Sequence, residues 1–137
     1  MDRQAIIERL LDHYEHPRYH GPLADADVVV PGGIPDCGDQ VTIYLKVDPE
    51  HEQVAALRFE GQGCSVSQAA ASILAEALQG APLAAIETLD DAAALDLVGY
   101  EVVRARPRCA TLALHTLQAA VQAYRRRQRQ APYQETR

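Results

Sequence analysis

The sequence predicts an α+β domain, a small antiparallel sheet of about three strands covered by helices on one face. Three observations carry this. From Gln40 to Val47 apolar and polar residues alternate strictly, with Val41, Ile43, Leu45 and Val47 on one side. A second run, Val54–Glu60, follows across the polar turn Asp48-Pro49-Glu50-His51-Glu52-Gln53, so the two read as an antiparallel hairpin. Helical periodicity brackets the pair at both ends of the chain.

Taken in order, residues 3–15 place Ile6, Ile7, Leu10, Leu11 and Tyr14 on one helical face, and Pro17, Gly21 and Pro22 end that helix. Glu15-His16-Pro17-Arg18-Tyr19-His20 is a loop, and a short strand at Val28–Val30 is broken by Pro31-Gly32-Gly33. In the second strand of the hairpin Ala55, Leu57 and Phe59 share a face. Gly61-Gln62-Gly63 turns into a helix near 66–79 whose Ser65 and Gln68 have the spacing of a capping box, with Gly80-Ala81-Pro82 as its stop. This helix is Ala-rich and apolar nearly all round, which expects burial against the sheet. One or two short helices fill 83–98. The last helix starts just after Cys109 and runs to about Arg127 on Leu112, Leu114, Leu117, Ala120, Val121 and Tyr124. Residues 125–137 form a frayed polar tail, and no repeat or linker divides the single domain expected over 1–137.

Composition narrows the function. With 137 residues and 47% apolar content the chain is long enough for a real core. No apolar run reaches the roughly 18 residues of a membrane span, and the N-terminus shows no basic region followed by an apolar stretch. A cytoplasmic chain without membrane attachment is expected. The net charge of −6 disfavours nucleic acid as a partner. Three cysteines, none in a CxxC pair, fit metal ligation or thiol reactivity better than disulfides in such a setting.

All three cysteines sit where the chain changes direction. Cys37 lies in Gly32-Gly33-Ile34-Pro35-Asp36-Cys37-Gly38-Asp39, where glycines let backbone approach an ion closely. In an extended segment Cys37 and Asp39 project to the same side, and Asp36 away. Cys64 and Cys109 each stand immediately before an expected helix, where free backbone N–H groups and the dipole stabilise a thiolate. Arg104, Arg106 and Arg108 push Cys109 the same way. Three thiolates and one carboxylate make a four-point metal site, and both zinc and iron–sulfur clusters accept such ligands. A cysteine hydrolase is disfavoured, since His13, His16, His20, His51 and His115 show no pairing with a cysteine.

At these residues the sequence resembles the iron–sulfur scaffold family of IscU, the NifU N-terminal domain and SufU. His13-Tyr14-Glu15-His16-Pro17-Arg18 is similar to that family's first helix end. Pro35-Asp36-Cys37-Gly38-Asp39, Gly61-Gln62-Gly63-Cys64-Ser65-Val66-Ser67 and Cys109-Ala110-Thr111-Leu112 resemble its three cysteine motifs, in order. The likeness covers roughly residues 3–127. Two departures stand out: Arg108 occupies the place where IscU proteins carry His, and Val102–Pro107 replaces their Leu-Pro-Pro-Val-Lys segment. The basic residue is SufU-like, yet the insertion usual in SufU between the second and third cysteines is missing.

The resemblance implies a SufE/NifU-like fold and a scaffold rather than an enzyme. Cys37, Cys64 and Cys109 would bind a transient [2Fe–2S] cluster, or Zn2+ in the resting protein, with Asp39 as the weak oxygen ligand. Sulfur would come from a cysteine desulfurase and iron from a donor, and the cluster would pass to apo-proteins. Cys109 is the candidate persulfide acceptor, on the strength of its helix start and arginines. The alternative is a zinc-dependent sulfur acceptor (sulfurtransferase) of the SufU kind. A structural zinc module that binds protein partners is a third reading, and metal removal should unfold it.

Overall fold

The computed structural model describes residues 2–35 and 38–135, without the side chains of 131–135. Helix α1 spans Arg3–Glu15, and the Asp2 carboxylate caps it by accepting from the Ala5 N–H. Ile6, Leu10 and His13 are the buried positions of this helix, whereas Leu11 and Tyr14 are about half exposed. The buried stripe is therefore rotated from the apolar face expected, because α1 packs on α2 and α5 rather than on the sheet.

The sheet has the order β1-β2-β3 and is antiparallel throughout. Strand β1, Val28–Ile34, runs straight through Pro31-Gly32-Gly33 instead of breaking there. It is an edge strand, so the missing N–H of Pro31 leaves no ladder partner wanting. Gly32 is bare for a packing reason: a Cβ there would lie 2.0 Å from Thr116 Oγ1 of the last helix. Strands β2, Asp39–Asp48, and β3, Gln53–Gln62, form the expected hairpin. Ala55 faces solvent and Val54 is buried, contrary to the alternation expected. The pairing steps from Val47–Val54 to Lys46–Ala56, so Ala55 is the extra residue of a bulge. The free edge of β3 is closed by the loop after α1: Gly21 N–H donates to the Phe59 carbonyl and Phe59 N–H to that of Tyr19.

Helices α2 (Ser65–Ala77), α3 (Leu83–Thr88), α4 (Asp91–Val98), α5 (Tyr100–Val103) and α6 (Pro107–Glu135) complete the order. Leu45, Leu57 and Phe59 of the sheet meet Leu74 of α2 and Leu114, Leu117 and Val121 of α6 in one buried cluster. Ala69 and Ala70 let α1 and α4 close on α2 in a second, with Ile6, Leu10 and Val98, and with Val103 of α5. Helix α6 begins two residues before Cys109 and continues past Arg127, which corrects both ends of the expected element. Pro107 suits a first helical position, where no N–H is needed. Within the stretch 125–130, Arg125 makes a two-pronged ion pair with Glu87 at 2.8 and 2.9 Å, and Arg127 donates to the Asp27 carbonyl.

One buried polar group joins α1 to α2. Ser72 Oγ accepts from Arg18 N–H at 2.8 Å and shares a hydrogen bond with His13 Nδ1 at 2.7 Å. The other ring nitrogen, Nε2, lies 3.9 Å from Glu76 Oε1. Burial, then Arg18, lower the pKa of His13 below the usual 6.5, against the pull of Glu76. A depressed histidine binds its proton more readily in the unfolded chain, so its contribution is complete above the unfolded pKa and shrinks as pH falls below about 6.5. Thermal unfolding from pH 7.5 to 5 should show a steeper loss in the native protein than in His13→Gln. Parallel curves would remove His13 from the acid response.

Candidate metal centre

Three chain segments converge at the end of the sheet where β2 begins. Asp39 is the first residue of β2 and is 2% exposed. Cys64 follows β3 and is the N-cap of α2, its sulfur accepting from Ser67 N–H at 3.5 Å. The cap is thus one residue earlier than the Ser65–Gln68 box expected from sequence. Cys109 lies in the first turn of α6, where its backbone N–H falls among those without a helical acceptor.

The ligand atoms of Asp39, Cys64 and Cys109 all lie within 4.8 Å of one another. Asp39 Oδ1 accepts from Cys64 N–H at 3.0 Å, and Oδ2 lies 3.2 Å from Cys64 Sγ. Burial of Asp39 works to raise its pKa. The Cys64 N–H, with the Cys64, Cys109 and Ser67 side chains, outweighs it and holds the carboxyl below its usual range. Gly63 makes the close approach feasible: its φ is +136°, and a Cβ would stand 2.4 Å from Asp39 Oδ1.

The low-pKa thiol expected at Cys109 is not what the fold provides. Burial first, then hydrogen bonding to Asp39 and Cys64, push this thiol up to about 12. Cys109 is inside the helix and 8% exposed, whereas Arg104, Arg106 and Arg108 are all exposed. Burial dominates charges that sit in solvent. Arg106 and Arg108 do wall the open cleft of about 440 Å3 whose floor is Asp39, Cys64 and Cys109.

Two soft sulfurs and a hard oxygen suit zinc or iron. Tetrahedral zinc sets its ligands roughly 3.5–3.8 Å apart, so only small shifts would bring the three to that spacing. Cys37 and Asp36 lie outside the described residues. Among the described residues no histidine bonds a cysteine: His13 meets Ser72, His51 meets Asp48 and His115 meets Asp91. Sequence reasoning passed over Ser67, which is 2% exposed and bonds the Cys64 carbonyl at 3.1 Å. Its position three residues after Cys64, the N3 position of a capped helix, was the available signal.

The chain matches the family described as the NifU-like N terminal domain over residues 6–131. It is 33% identical to the iron–sulfur cluster assembly scaffold protein IscU of Aquifex aeolicus, over 85% of this chain and 74% of that one. It is also 33% identical to the zinc-dependent sulfurtransferase SufU of Bacillus subtilis, over 82% and 86% respectively. The crystal structure of a NifU-like protein (N-terminal) from Brucella abortus superposes with a TM-score of 0.71 at 21% identity, covering 87% of this chain and 93% of that one. That last likeness concerns the fold.

Proposed function

Since this chain belongs to the NifU-like N-terminal domain family, we propose that it is an iron–sulfur cluster assembly scaffold. It builds a transient [2Fe–2S] cluster from desulfurase-derived sulfur and donated iron, and passes it to apo-proteins. The reading draws on relatives named as IscU scaffolds, and the placement of Asp39 between two thiols carries it. Cys37, two residues before Asp39 in sequence, is the proposed third thiolate ligand. The reducing cytoplasm, where thiols stay free, is the compartment that suits it.

A cargo must be held and then released, and Asp39 serves the second need. A carboxylate is a poorer partner than thiolate for iron in a sulfide-bridged cluster. One of its oxygens is already committed to Cys64 N–H, which leaves the other for metal. Once the cluster has left and Cys64 is again a thiol, the Asp39 oxygen that faced metal has a bond to return to, the thiol proton of Cys64 at 3.2 Å in the metal-free geometry. Asp39→Ala has neither the labile oxygen nor that resting place. Its transfer of cluster to an apo-ferredoxin should slow several-fold, and an unchanged rate would remove the role.

The deciding experiment incubates metal-stripped protein anaerobically with ferrous iron, cysteine and a cysteine desulfurase. A visible iron–sulfur chromophore, lost in variants of Cys37, Cys64 or Cys109 and transferable to an apo-ferredoxin, is the expected result. A colourless protein that keeps zinc and accumulates persulfide on one cysteine would instead support the second reading. That reading, a zinc-dependent sulfur acceptor for the desulfurase, is favoured by Arg108 beside Cys109 and by the SufU relative. Cys109 is the proposed acceptor in either case, now on the ground that it borders the open cleft. Metal binds only the thiolate, so a bound metal would hold Cys109 deprotonated. A structural zinc module fits less well, because two large apolar clusters pack α1, α2 and α6, with Cys109 only one small member of the first.

A further inference from the structure

We propose that Ser67, oriented by Gln68, is a positioning residue that donates its hydroxyl proton to Cys64 Sγ once that sulfur is bound to metal. The inference rests on the site being a metal centre, but not on whether a cluster is built there.

Cys64 Sγ changes what it needs when metal arrives. As a thiol it gives its proton to Asp39 Oδ2 at 3.2 Å. As a metal-bound thiolate it has no proton to give and gains from donors, which steady its orientation and temper its charge. Among the described residues, Ser67 sets two donors beside it. The backbone N–H is 3.5 Å from Sγ, and the hydroxyl oxygen is 3.8 Å away. In the metal-free geometry that hydroxyl donates to the Cys64 carbonyl at 3.1 Å, so a rotation about one bond redirects its proton from carbonyl to sulfur.

Gln68 keeps the hydroxyl facing this way. Its Nε2 donates to Ser67 Oγ at 3.2 Å and to the Gln40 carbonyl at 3.4 Å. The first bond uses a lone pair of the Ser67 oxygen and leaves its proton available to donate. The second ties the first turn of α2 to the residue after Asp39. Gly61 leaves room for the bridge, since a Cβ there would lie 2.8 Å from Gln68 Oε1. Ser67 is 2% exposed, so water does not readily replace its hydroxyl. The Cys64 thiol at the start of α2 and the carboxylate from β2 are thereby linked by one short polar chain: Gln40 carbonyl, Gln68 amide, Ser67 hydroxyl, Cys64.

The test uses the full chain with zinc or cobalt alone. Zinc affinity is read by competition with a chromophoric chelator, and cobalt substitution by the thiolate-to-metal charge-transfer band. Ser67→Ala should weaken zinc binding by roughly 10–100-fold, the usual effect of removing an outer partner of a ligand, and shift the cobalt band. Ser67→Thr, which keeps the hydroxyl, should recover most of both. Gln68→Leu, at a half-exposed position, should shift both in the direction of Ser67→Ala, and it serves if burial makes the Ser67 variants fold poorly. Native-like zinc affinity and an unmoved band in Ser67→Ala and Gln68→Leu would overturn the proposal, as would a native protein that binds neither metal. Weakened zinc binding in a chain that never forms a cluster would leave the inference standing and remove the scaffold reading.

Discussion

Gly63→Ala is expected to destroy the metal centre and destabilise the fold together, although it adds a single methyl group. At φ +136° an alanine is strained by about 1–3 kcal/mol. The Cβ would also lie 2.4 Å from Asp39 Oδ1 and 2.8 Å from Asp39 Cα, and a backbone atom of a paired strand cannot swing aside as a side-chain tip does. Overpacking of that kind adds roughly 1–3 kcal/mol more. Gly80→Ala separates the two contributions. Gly80 has φ +77° with nothing within 4 Å of its would-be Cβ, so it carries the backbone strain without the collision. Chemical denaturation should show a clearly larger loss for Gly63→Ala than for Gly80→Ala, and only the former should lose zinc. Equal losses with intact metal binding would mean that Asp39 is not held against Gly63 in solution.

Cys109→Ser should abolish metal retention, chromophore formation and persulfide labelling by a desulfurase, while the metal-free chain still folds. A serine hydroxyl is a poor ligand at neutral pH, so zinc affinity should fall by more than the roughly 100-fold at the upper end for outer-partner changes. The fold should persist because Cys109 is one small member of a cluster led by Leu45, Phe59 and Leu114. Chelator competition, anaerobic reconstitution and mass spectrometry of the trapped persulfide read the three effects. Labelling that persists on the variant would move the acceptor role to another cysteine. Loss of labelling with zinc still tightly bound would assign Cys109 to sulfur acceptance and not to the ligand set.

The sequence itself determined the elements whose signals are local. The alternation through Val41, Ile43, Leu45 and Val47 specified a strand, and Ile6 and Leu10 specified a helix, because side-chain period depends only on backbone geometry. It also singled out Asp39, Cys64 and Cys109, since Gly-flanked turns and helix starts are legible as spacing. Tertiary structure decided whatever depended on partners distant in the chain. Pro31-Gly32-Gly33 reads locally as a breaker, yet β2 pairs with it and Thr116 of α6 presses on Gly32. Ala55 alternates correctly in sequence but is extruded by a bulge that only the β2 pairing defines. The thiol of Cys109 sits beside arginines in the chain but beside Asp39 and Cys64 in space, so its pKa rises where the neighbouring sequence predicted a fall. Charge is written in the sequence, but desolvation and distance, which decide what a charge does, exist only once the segments meet.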